Sequence, residues 1–458
     1  MEAVAKTRWV IAVAAALALL PAAAARGADF TPGSAGVGDP FFPDQGNGGY
    51  DVAAYDLDLA YRPDSKRLRA TAVITADATQ DLSRFDLDYR GPRIESLSVG
   101  GAPASFSRLG QELVVTPPAG IVSGTRFVVE VHYHGVARNI KDPDGSPDGW
   151  IHTDDGVAAL GEPQGAPTWF PCNDTPLDKA LYEISIRVPE RLKAISNGRL
   201  VSHDPDGTWN WVTEEPMASY LATVTVGRFQ VHRGRAGGVP SYVAVDPREA
   251  RESKRPLRAI PGIIRLFDRL FGPYPFSQVG GIVEHAAPEI GYALETQTRP
   301  VYDTAPNARL IAHELAHQWF GDSVSVTTWP DIWLNEGFAT WAQWRYAQSV
   351  GDASPAHRLK RLKREPAGET SLWDPPPAAL RKPAQLFAGS IYVRGAMALE
   401  ALRERIGNDA FYSTLRTWTA THRDGNATVA GFIALAEAQS GEDLSALFHR
   451  YLYKRGKP

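Results

Sequence analysis

The chain has 458 residues, 43% of them hydrophobic, with 12 Trp and a formal net charge of -4. That is enough for two or three domains with buried cores, and the mild acidity gives no electrostatic reason to expect nucleic acid or an anionic membrane as partner. Cys172 is the only cysteine, which excludes an intramolecular disulfide and leaves stability to the core.

Residues 1–25 read as a secretory signal peptide. Lys6 and Arg8 precede an apolar run over residues 9–20, and Pro21 leads into alanines that offer cleavage near Ala24 or Ala25. The run falls short of the roughly twenty residues a bilayer demands, so the expectation is export, with no stable membrane insertion after cleavage. Residues 26–49, rich in Gly, Pro and Asp, form a loose leading segment.

Over residues 50–233 the pattern is short runs of two-residue alternation, as at 55–61, 127–134 and 181–188. Turn clusters such as Asp204-Pro205-Asp206-Gly207 separate them, and a mostly antiparallel β domain follows. His132 and His134 share one face of such a strand. That is open to reading as a metal pair or as a solvated face, with no third ligand in evidence. Gly234-Arg235-Ala236-Gly237-Gly238 marks the expected boundary, and residues 239–458 form the second domain. Helices are predicted over 256–271, 307–320, 331–349, 390–406, 409–421, 429–440 and 444–453, with a short strand over 280–284.

The helix predicted over 307–320 carries His313-Glu314-Leu315-Ala316-His317. Spacing of i to i+4 puts both imidazoles on one helix face, where they can meet a single metal ion, with Glu314 placed beside a metal-bound water as its general base. After eighteen intervening residues His317 is followed by Glu336, in the first turns of the next helix, where a helical return brings its carboxylate over the histidines. Two histidines and one carboxylate leave a fourth position open, the composition of a catalytic zinc site rather than a structural one. A buried helix pair with incidental histidines is the bland alternative. Trp319, Trp329, Trp333, Trp341 and Trp344 crowd this region, most of them at the spacing of core packing. Asp331 is open to two roles, orienting a ligand histidine or capping the second helix.

With this ligand set the chain resembles peptidase family M1, the zinc aminopeptidases. The resemblance extends to Tyr292-Ala293-Leu294-Glu295-Thr296, which stands where the family has Gly-Ala-Met-Glu-Asn, and implies that Glu295 grips the substrate's α-amino group. Tyr292 and Thr296 depart from the glycine and asparagine of that pattern. Glu162, ten residues before Cys172 in a Pro-Cys-x-Asp-x-Pro turn, matches the position of a second amine-site residue, and Tyr392 in Tyr392-Val393-Arg394-Gly395 matches the tyrosine that donates to the oxyanion. What the resemblance implies is an α+β multidomain chain: a saddle-like N-terminal antiparallel β-sandwich, then a thermolysin-like, mainly helical zinc domain. It further implies one Zn²⁺ per chain, held by His313, His317 and Glu336, and peptide substrates cleaved at the N-terminal bond. A broad zinc metalloendopeptidase and a non-catalytic peptide-binding derivative are the alternatives. Since the sequence stops at Pro458, short of the family's C-terminal half, a more open cleft that accepts longer peptides is expected.

Overall fold

The computed structural model describes residues 29–458, so the expected signal peptide and the start of the leading segment lie outside the described residues. Residues 31–227 build three sheets. The largest has nine strands, and its centre is the antiparallel pair Tyr50–Arg62 and Arg67–Ala78. Alternation in the sequence is alternation in burial here: Leu57, Leu59 and Tyr61 point inward while Asp56, Asp58 and Ala60 are more exposed. Lys179–Arg187 joins this sheet parallel to Tyr50–Arg62, an exception to the antiparallel rule. Against it lies a five-stranded antiparallel sheet that includes Pro147–His152 and Val157–Leu160, and Tyr61 packs edge-on to Trp150 at 5.3 Å between ring centres. A four-stranded sheet with Leu82–Asp88 at its centre completes this part. His132 and His134 sit on a half-exposed strand face beside Glu130 and Glu95, the solvated reading.

The second part begins earlier than expected. Residues 234–238, read above as a flexible boundary, are the end of strand Gln230–Ala236 and the turn into Val239–Val245, a hairpin in the sheet of the helical domain. Two adjacent glycines with positive φ, Gly237 and Gly238, make that turn. Parallel pairing continues from Val239–Val245 to Val279–Val283 and on to Val301–Tyr302, with Ala293–Leu294 at the edge.

Nine α-helices follow in the described residues: α1 (Ala250–Leu257), α2 (Ile260–Phe271), α3 (Ala308–His317), α4 (Trp333–Ser349), α5 (Pro355–Leu362), α6 (Thr370–Trp373), α7 (Gly389–Thr421), α8 (Val429–Ser440) and α9 (Ser445–Phe448). The helix expected over 256–271 is two, because Pro261 has no N–H to give residue 257 and serves instead in the first turn of α2. In α7 the expected break is a kink at Gly407, whose φ of 81° is open to glycine. The architecture is thus α+β, a β-rich N-terminal domain followed by a mainly helical one.

Candidate metal and peptide site

Helix α3 starts at Asn307, whose side chain accepts the N–H groups of Arg309 and Leu310 at 2.9 and 3.1 Å. Its C-terminal half is wholly buried, and the rings of His313 and His317 lie 4.8 Å apart on one face. Helix α4 returns across α3 and brings Glu336 Oε2 to 3.1 Å from His313 Nε2 and 3.4 Å from His317 Nε2. Three donor atoms on two helices therefore face one point. The other nitrogen of His317, Nδ1, bonds the carbonyl of Phe320 at 3.1 Å, which leaves Nε2 as the lone-pair side. Asp331 takes neither expected role: it receives the N–H of Val429, the first residue of α8, at 3.3 Å, while Thr428 caps that helix.

The electrostatics follow from burial. Burial disfavours charge on Glu336, but His317 and His313 outweigh it and hold the carboxyl down to about 2. Burial pushes Glu314 well above the ordinary range, with Glu295 and Glu336 adding to it against the pull of His317. Glu162 is raised in the same way, by burial first and then by Glu295 and Glu336.

All seven residues singled out in the sequence line one cavity of about 650 Å³: Glu162, Glu295, His313, Glu314, His317, Glu336 and Tyr392. Tyr392 reaches it from α7, its ring stacked on His313 at 6.0 Å. Glu162, Glu295 and Glu336 offer oxygens within 4.8 Å of one another. Glu295 Oε1 and Glu162 Oε1 are both buried with no hydrogen bond, although Glu295 Oε1 lies 3.4 Å from His317 Nδ1. Two such oxygens facing a cavity call for a cation with N–H groups to give.

Sequence reasoning missed the residues that hold these groups in place. Gln318, next to the second histidine, donates to the carbonyl of Glu295 at 3.0 Å and accepts the N–H of Thr298 at 2.7 Å, so α3 carries both the histidines and the Glu295 segment. A glutamine set directly before Trp319-Phe320 was the only available signal, and the structure shows it fully buried. Arg299 is equally buried; it donates to the carbonyls of Ser196 and Gly198 in the first domain and lies over the rings of Trp211 and Tyr242. Tyr292, at a position expected to hold glycine, spans the cleft and donates to the carbonyl of Pro147 at 2.8 Å.

Comparison with known proteins agrees with this geometry. Residues 52–221 match the peptidase M1 N-terminal domain and residues 289–451 the peptidase family M1 domain. The chain belongs to peptidase family M1. Among relatives in this family, Aminopeptidase M1 of Arabidopsis thaliana is 30% identical over 326 residues, covering 65% of this chain and 36% of that protein. Leucyl aminopeptidase of Saccharolobus solfataricus is 25% identical over 417 residues, covering 81% of this chain and 50% of its own. The chain thus spans between about a third and a half of these curated relatives. A crystal structure of an M1 zinc metallopeptidase mutant from Deinococcus radiodurans, bound to a Tyr-Ser-Ala substrate, superposes with a TM-score of 0.84 at 29% identity, covering 92% of this chain and 99% of that one.

Proposed function

We propose that this M1 family member is a zinc-dependent aminopeptidase, and that the buried carboxylates of Glu295 and Glu162, neither of which makes a hydrogen bond through Oε1, beside the three converging donors carry that reading. The donor set fits zinc: two imidazole nitrogens and one carboxylate, with His317 already turned by its bond to Phe320. His313, His317 and Glu336 would hold the ion, which when bound supplies Lewis acidity and a water acidified to a pKa of about 7. Glu314 takes the proton of the attacking water and returns it to the departing amine. The Tyr392 hydroxyl donates to the oxyanion as charge develops. Glu295 and Glu162 receive the substrate's ammonium group, whose charge offsets their burial; an internal peptide nitrogen has no such charge. That asymmetry favours an exopeptidase over an endopeptidase.

Export is part of the same proposal. It is supported by Lys6, Arg8 and the apolar run that follows them. Among the described residues no helix is long and apolar enough to cross a membrane.

The deciding experiment compares an aminoacyl arylamide with its N-acetylated form, with and without a chelator. Cleavage of the free amine alone, abolished by chelation and restored by zinc, is the expected result. Equal cleavage of both forms would establish an endopeptidase-like site, and no cleavage by zinc-loaded protein would favour a peptide-binding derivative.

A further inference from the structure

A second group of carboxylates converges outside the cavity, between elements of the two domains. Asp155 comes from the turn after strand Pro147–His152, while Asp246 and Glu284 each follow one of the parallel neighbours Val239–Val245 and Val279–Val283. Their oxygens lie within 4.8 Å of one another.

Arg248 engages both oxygens of Asp246, at 3.0 and 2.8 Å, and also reaches Asp154 at 2.8 Å. Arg228 lies 3.3 Å from Asp155 Oδ2. Nearby Glu249 is taken up by His285 and the N–H of Ala305. Asp154, Asp155, Asp246 and Glu284 thus face two guanidinium groups, and two negative charges are left over. The excess has an address: Asp155 Oδ1 and Glu284 Oε2 are buried without a hydrogen-bond partner, and Glu284 has no exposed surface at all. Its other oxygen receives only the N–H of His285 at 3.2 Å.

We propose that Asp155, Asp246 and Glu284 form a second cation site, filled by calcium, that ties the N-terminal β domain to the sheet of the helical domain. The ligands are oxygen only, which suits a hard cation rather than zinc. Carboxylates drawn from three separate segments suit the adaptable coordination of calcium better than the strict octahedron of magnesium.

The test is calorimetric titration of calcium into the zinc-loaded protein, together with its thermal midpoint. One equivalent should bind, the midpoint should rise by about 3–6 °C at saturation, and magnesium should do much less. Glu284→Gln should abolish both the heat and the shift while zinc content stays at one per chain; Asp155→Asn serves if that variant does not fold. A wild-type protein that takes up no calcium overturns the proposal and leaves a shared proton as the occupant. So does a variant that binds calcium as well as wild type.

Discussion

Gly337 of α4 and Gly395 of α7 meet backbone to backbone: a Cβ on Gly395 would stand 2.9 Å from the Cα of Gly337, and one on Gly337 3.0 Å from the Cα of Gly395. Each glycine follows a residue of the cavity closely, Glu336 by one position and Tyr392 by three. The contact therefore sets how near the carboxylate and the phenol come to the histidines.

Gly395→Ala should separate α4 from α7 and reduce kcat at least about tenfold, with overpacking of roughly 1–3 kcal/mol offsetting any gain in helix propensity. Gly262→Ala in α2 is the control, since its Cβ would meet nothing within 4 Å. That variant should gain about 0.5–1 kcal/mol in urea unfolding and keep full activity.

Glu314→Gln should bind zinc as wild type does, by metal analysis, and lose at least about a thousandfold in kcat. Retention of turnover would remove the general base from the mechanism.

Tyr392→Phe removes one hydroxyl and leaves the ring stacked on His313. A fall of about 10²–10³ in kcat with little change in KM is expected, because the lost bond belongs to the transition state. If KM rises instead while kcat holds, the hydroxyl contacts the ground state.

Glu295→Gln and Glu162→Gln should raise KM for unblocked arylamides by about tenfold or more and narrow the gap between free and N-acetylated substrates. Steady-state kinetics on the paired substrates measures both effects.

Asp178 supplies a test of stability against pH. Its carboxylate receives the side-chain amide of Asn173 at 2.6 Å and the N–H of Val52, yet burial outweighs both and lifts the carboxyl to about 7. Between about pH 4 and 7 the folded state keeps a proton that the unfolded chain has released, so this residue's contribution is present below pH 4 and is lost as pH rises through 7. Asp178→Asn should therefore gain on wild type across that window by on the order of 4 kcal/mol and level off above it, as read from midpoints at several pH values.

The metal ligands were legible because their geometry is local: i to i+4 on one helix, then a carboxylate in the next. Alternation exposed the strands for the same reason. What stayed hidden depends on partners far along the chain. Gln318 meets Glu295 across 23 residues, and Arg299 meets Gly198 across 101, with no periodicity to announce either. Residues 234–238 misled because a glycine-rich hairpin turn and a linker share one composition; only the pairing partner separates them. Asp331 was placed in the right region with the wrong partner, since the backbone N–H it receives belongs to Val429, 98 residues later.

The guanidinium of Arg394, two residues beyond Tyr392, is fully enclosed and gives its hydrogens to the carbonyls of Trp373, Arg450, Tyr451, Lys454 and Gly456. The segment from 450 to 456 thereby becomes a remote brace for the phenol, although none of its side chains lines the cleft. Clipping those few residues would strand a buried positive charge, and hydrolysis would falter through a cut made well away from any reacting atom.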